Sequence, residues 1–148
     1  MRWHLYLFGL CLAFVMAACS KDDPEPDAAT QVAGEYPISY YRADSAAVTL
    51  YEFNMPYTVG TTTLSGSVTA RRDSANVLFL TQTIKITGET DQISALGQVK
   101  LQAVGSGYDM YYGSQKVGSI DGTNISIDDQ AVDPSTGITY RTIINGRK

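Results

Sequence analysis

The residues best able to recognise a ligand are the tyrosines, ten in a chain of 148 residues, of which all but Tyr6 follow Cys19. Tyr40-Tyr41, Tyr51, Tyr57, Tyr108, Tyr111-Tyr112 and Tyr140 each combine a flat apolar ring with one hydroxyl, which suits sugars, lipids or aromatic molecules. Tyrosine is also a good strand former with a half-buried ring. Adjacent pairs point to opposite faces of a strand, so at most half of these rings can share one cavity. Tyr40, Tyr108, Tyr112 and Tyr140 are the candidate ligand contacts. A second constellation, Asp121, Asn124, Asp128, Asp129 and Asp133, is rich in oxygen. Calcium takes about six to eight oxygens, but the spacing fits no EF-hand loop and turn formation accounts for Asp121 and Asp133. No metal site and no cofactor are assigned. Glu35, Glu52, Glu89 and the aspartates cannot be paired across a cleft from spacing alone. The expectation is a protein that is not an enzyme, with no catalytic residue. Arg71-Arg72-Asp73 and Gly146-Arg147-Lys148 read as a turn and a solvated tail.

What the chain lacks narrows the chemistry further. Trp3, His4 and Cys11 all fall within an N-terminal segment in which Met1-Arg2 precedes an apolar run, Leu5 to Ala18. That run is shorter than the roughly 20 residues that span a bilayer. It ends in Ala17-Ala18, as a signal-peptide cleavage site should. Cleavage there removes the single His and the single Trp. Lys+Arg falls from 11 to 10 with Arg2 while Asp+Glu stays at 15, so net charge moves from -4 to -5. A Ser-His-Asp triad, a Cys-His pair and a His-ligated zinc are then excluded. Cys19 is the only cysteine left, so no intramolecular disulfide can form. The acidic balance offers no basic footprint for nucleic acid.

Met16-Ala17-Ala18-Cys19 resembles the lipobox of bacterial lipoproteins, with Met16 in place of the usual Leu. The resemblance implies cleavage before Cys19, acylation of its sulfur and of the new amino group, and a membrane as partner through those acyl chains. One chain anchors marginally, and two or three hold firmly. Lys21-Asp22-Asp23 is similar to the acidic export signal of Bacteroidetes-type lipoproteins, which implies the outer membrane with the protein facing the cell exterior. The periplasmic face is the alternative. Asp22-Asp23-Pro24-Glu25-Pro26-Asp27 carries two prolines and no large apolar residue, the composition of a flexible tether.

These residues must be held by strands. Beyond Cys19 the chain is rich in Thr, Ile, Val and Tyr and poor in Leu and Glu, which favours an all-β domain. Asp27 to Gly34 is either one helical turn, with Asp27 as N-cap and Gly34 as its stop, or more tether. Strand candidates then run over 35–41, 48–53, 64–70, 76–87, 93–104, 108–112, 116–120, 124–129 and 138–145. Expected inward sets include Tyr36, Ile38 and Tyr40; Leu64, Val68 and Ala70; Leu78, Leu80, Ile84 and Ile86; and Ile93, Val99, Leu101 and Ala103. The strand over 48–53 is apolar on both faces, which leaves its orientation open. Short Gly-, Asn- and Asp-rich connections, Asp121-Gly122 above all, make chain neighbours antiparallel hairpins. A meander of eight or nine strands hides its edges most simply by closing into an up-and-down barrel, with a two-sheet sandwich as the alternative.

Gly34-Glu35-Tyr36 on the first strand and Arg141 on the last resemble the lipocalin or calycin pattern, with Tyr36 in place of the usual Trp. The resemblance covers about residues 32–148. It implies that Gly34, Tyr36 and Arg141 close one end of a barrel and do not bind ligand. The expected organisation is a lipoprotein signal peptide over 1–18, a lipidated Cys19 with an acidic tether over 19–31, and a lipocalin-like barrel over 32–148. The expected activity is non-catalytic binding of a small apolar or amphipathic ligand. The alternative is a barrel with a filled core that works as a surface accessory or protein-interaction module.

Overall fold

Among the described residues, runs of β-branched and aromatic residues broken by tight turns give ten strands after one short helix. The computed structural model describes residues 25–148, so the expected signal peptide and Cys19 lie outside the described residues. The helix α1 spans Ala28–Val32. The strands are β1 (Gly34–Ser45), β2 (Val48–Asn54), β3 (Tyr57–Val59), β4 (Thr62–Ser74), β5 (Val77–Ile86), β6 (Gln92–Val104), β7 (Gly107–Tyr112), β8 (Gln115–Ile120), β9 (Asn124–Val132) and β10 (Thr139–Arg147). The short β3 is the one element that the sequence did not lead us to expect. It is too brief for an alternating pattern to register.

From β4 to β10 each strand pairs antiparallel with its chain neighbour, and β10 pairs with β1. The ring closes where Gly34–Pro37 of β1 pairs with Ser67–Ala70 of β4. This hydrogen-bonded closure makes an eight-stranded barrel of β1 and β4 to β10, and it settles the choice against a sandwich. Past Pro37 the two closing strands part. The rest of β1 pairs with β2, and the start of β4 pairs with β3. The strands β2 and β3 therefore form a flap that hangs from both sides of the split. Met55, in the turn between them, is buried in the split, where its N–H donates to the Ser39 carbonyl at 2.9 Å.

The core fills the half of the barrel near α1. Tyr36, Ile38, Val68, Ala70, Leu78, Leu80, Val99, Leu101, Met110, Ile120, Ile125 and Ile144 are all buried there. The β5 row Leu78, Leu80, Ile84 and Ile86 faces inward, as its alternation predicts. Two expected faces change, and a bulge is the reason in each case. In β1 the register with β10 shifts between Ile38 and Tyr40. Ser39 is the extra residue, so Tyr41 turns in, while Tyr40 turns out and donates to Glu52 Oε1 at 2.7 Å. In β6 the register with β5 shifts at Leu96, next to Gly97 with φ +107°. Val99 and Leu101 stay inside, but Ile93 lands on the outer side at 70% exposure, and Ala103 lies exposed at the strand's far end. An inserted residue reverses the side-chain alternation beyond it.

The helix α1 plugs one end of the barrel. Asp27 is its N-cap: Oδ1 accepts from the Thr30 N–H at 2.9 Å. Arg72 holds the same carboxylate with Nη2 at 2.8 Å. The side chains of Ala29 and Val32 are buried against the core. The Tyr36 hydroxyl donates to the Val32 carbonyl, and Lys148 Nζ sits 4.5 Å above the Tyr36 ring and donates to the Ala33 carbonyl at 3.0 Å. The terminal lysine, expected to be a solvated tail, thus supplies the cation over the first-strand aromatic. Arg141 does not. It stands opposite Asp44, far along β1 from Tyr36, and its Nε binds Asp128 Oδ1 at 2.7 Å on the outer face. Both Arg141 and Lys148 lie on or just past β10, so spacing along the strand, which sequence alone did not fix, decides which one meets the ring.

Candidate functional site

Where β1 and β4 part, the barrel stops being filled. An apolar cavity of about 440 Å³ opens there, lined by Tyr41, Tyr51, Phe53, Met55, Leu64, Ile84, Ile86 and Gln92. Each wall follows from the local pairing. The Ser39 bulge turns Tyr41 inward, and β2 pairs Phe53 with Tyr41 and Tyr51 with Ala43, so both rings share that inner face. Tyr57 pairs with Leu64 and packs against Phe53 with ring centroids 5.5 Å apart. Gly66 lets the walls approach, since a Cβ there would come within 2.9 Å of Ile84 Cδ1 and 3.1 Å of Ile38 Cδ1. The flap keeps an apolar inner face that no described residue covers: Tyr51 is 58% exposed and Val59 62%.

Below this chamber lies a smaller space of about 120 Å³, lined by Tyr41, Gln82, Leu96, Tyr112, Ile127, Asp129, Thr142 and Ile144. Tyr41 belongs to both. Burial pushes the Tyr41 and Tyr112 hydroxyls above their ordinary range, and the Asp129 charge adds to the effect at Tyr112. The Tyr112 hydroxyl donates to the Leu96 carbonyl at the β6 bulge, so the bulge and this ring fix each other.

The four candidate ligand tyrosines are not gathered in one place. Tyr112 lines the lower chamber. Tyr140 is on the open-end part of β10, opposite Ser45 and Ala131, and 44% exposed. Tyr108 stands at the closed end, where its hydroxyl donates to Gln31 Oε1 of α1 at 2.9 Å. Tyr40 is on the outer face. Tyr41 and Tyr51, which belong to the wider tyrosine set but not to these four, do line the cavity, and sequence reasoning missed Phe53 and Gln82. Gly97 inside an apolar strand was the available sign of one bulge, and nothing marked the bulge at Ser39.

The oxygen-rich residues also serve separate purposes. Asp121 accepts from the Thr123 and Asn124 N–H groups at 2.8 and 2.6 Å, and these bonds hold its carboxyl below the usual range. Asp133 accepts from the Ser135 hydroxyl at 2.7 Å and from the Ser135 N–H at 2.8 Å, and these bonds hold its carboxyl below the usual range. Asp128 pairs with Arg141, which lowers it. Among the described residues no three metal-ligating side chains converge. Another groove of about 300 Å³ lies by the closed end, lined by residues that include Tyr108, Asp109, Ser119, Asn124 and Ser126.

The chain is thus a closed eight-stranded antiparallel barrel with one plugged end and one open apolar mouth, an architecture compatible with a lipocalin-like fold. Comparison with protein-family models, curated proteins and solved structures finds no match.

Proposed function

We propose that this protein is an outer-membrane lipoprotein, facing the cell exterior, whose barrel binds a small apolar or amphipathic ligand without catalysis. The observation that carries the binding half is the unfilled chamber of about 440 Å³, walled by Tyr41, Tyr51, Phe53 and aliphatic side chains, above a tightly packed base. Its size and lining are those of small-molecule pockets, which run to about 300–1,000 Å³ and are mostly apolar. The membrane half rests on Met16-Ala17-Ala18-Cys19 and the acidic residues behind it.

The binding half is tested by filling the chamber. Ile84→Trp puts an indole where the cavity now lies, on a wall that is only partly buried, so the fold survives. Uptake of a neutral hydrophobic fluorophore falls at least about tenfold. Unchanged uptake would place binding elsewhere. For the anchor, Cys19→Ala abolishes the acyl mass increment and releases the protein from the membrane fraction or leaves it unprocessed. A mutant that partitions like wild type would refute lipidation at Cys19. Protease digestion of intact cells reads the face, and a protected barrel points to the periplasmic side. The exposed Val48, Leu50 and Val59 favour a second reading, in which the flap is a protein-contact surface. Under that reading Ile84→Trp leaves activity intact and charge at Leu50 removes it.

A further inference from the structure

The floor of the cavity is chemically unlike its walls. Gln82 is 8% exposed, points into the lower chamber, and makes no side-chain hydrogen bond to any described residue. No buried side-chain nitrogen or oxygen among the described residues lacks a partner, so the Gln82 amide keeps contact with the solvent that fills the chamber, where an entering head group can meet it. Asp129 lines the same space, directly across the strand pair from Thr142. The neighbouring Asp128 is matched by Arg141, but among the described residues Asp129 has no cation within salt-bridge distance. Among the described residues no Lys or Arg lines either chamber, and Asp129 is the one formal charge that does.

Resting on the ligand-binding reading above, we infer that the cavity selects amphipathic amines: an apolar body lies among the aromatic walls, and a protonated amine descends to Asp129, Thr142 and Gln82. An ammonium head donates to the Asp129 carboxylate, the Gln82 carbonyl oxygen and the Thr142 hydroxyl oxygen. A carboxylate head in the same place faces the Asp129 charge at low dielectric with no cation to offset it. The apolar walls treat both heads alike, so the discrimination comes from the floor.

Octylamine, octanol and octanoate share a chain length and differ in head charge. Each competes with the neutral probe N-phenyl-1-naphthylamine on the purified full chain in nonionic detergent, with the protein-free signal subtracted. Octylamine displaces the probe at least about tenfold more tightly than octanoate, the worth of one charge-assisted hydrogen bond, with octanol between them. Asp129→Asn draws the amine-to-carboxylate ratio towards unity. The wild-type ratio decides the matter even if that variant fails to fold. Equal displacement by amine and carboxylate, or a preference for octanoate, overturns the head-group inference and leaves apolar binding standing. Failure of the probe and all three competitors to bind refutes both.

Discussion

Replacing Tyr36 with Phe tests whether the closed end is locked by one buried hydroxyl. Tyr36 is fully buried, and its hydroxyl donates to the Val32 carbonyl at the last turn of α1. Phe keeps the ring and its contact with Lys148 but leaves that carbonyl without its donor. An unmet buried acceptor costs about 1–3 kcal/mol, a sizeable share of the roughly 5–15 kcal/mol that holds a domain folded. Urea denaturation at neutral pH measures the loss. A second signature follows from ionisation. Burial, with a smaller contribution from the Asp121 charge, pushes the Tyr36 hydroxyl from an ordinary 10.0 up to about 12. Because the folded value is the higher one, the unfolded chain gives up its proton first. The stabilisation is therefore whole below pH 10 and is lost as pH rises through about 12. At about 1.4 kcal/mol per pH unit, the Tyr36 share approaches 3 kcal/mol. Tyr41 and Tyr112 are also raised by burial and keep their own shares in the mutant. Tyr36→Phe therefore starts less stable and loses less on going to high pH. A mutant as stable as wild type at neutral pH, with the full alkaline loss intact, would refute this account of the plug.

Two further substitutions probe the frame. A Cβ at Gly118 would stand 2.0 Å from the Ser126 carbonyl oxygen and 3.0 Å from Met110 Cε, so Gly118→Ala must prise β8 from β9. We expect a loss of about 1–3 kcal/mol or more in urea denaturation, and a neutral outcome would show that the pair can slide apart freely. Asp27→Ala removes both the α1 cap and the Arg72 ion pair. Amide exchange at Ala33, whose N–H donates to the Ala29 carbonyl at 2.9 Å, then quickens while the barrel strands stay protected. The Arg72 guanidinium, followed by the Thr30 N–H, holds the Asp27 carboxyl far below its ordinary 3.8, so its contribution is present above that pH and fades as acid is added below it. Wild type should show the same quickening at low pH, and the mutant should not respond.

Much of the frame was legible because alternation and turn chemistry are local. The β5 row and the Asp121-Gly122 hairpin could be read from neighbours a few residues apart, and so could the Asp27 cap. The antiparallel meander followed from the short connections, whereas closure was expected only as the simplest way to hide two edges, and the β1–β4 pairing decides it over a sandwich. What could not be read was any feature set by register between distant strands. Ser39 becomes a bulge only because β10 passes it by, and this one residue decides whether Tyr40 or Tyr41 enters the barrel. The apolar character of 48–53 on both faces resisted interpretation for a related reason. β2 lies outside the ring, where Phe53 and Tyr51 face the cavity while Leu50 and Val48 meet solvent.

The two bulges mark the height at which a filled core gives way to open chambers. On the helix side of Ser39 and Leu96 the inward residues are Tyr36 and Ile38 on β1, with Val99 and Leu101 on β6, and all four are buried. On the other side they are Tyr41 on β1 and Leu96 on β6, which line the chambers. Beyond the Ser39 bulge, β1 also exchanges β4 for β2 as its partner and the ring splits. Added twist and a reversed face are what a bulge supplies, and here they act on opposite walls at one level. Below that level the barrel is solid and closed by α1, Tyr36 and Lys148. Above it the same strands, with their alternation reversed, present aromatic and polar side chains to an open chamber. The packed core and the proposed binding chamber therefore occupy different halves of the same strands, so substitutions at the plug and in the chamber should act almost independently.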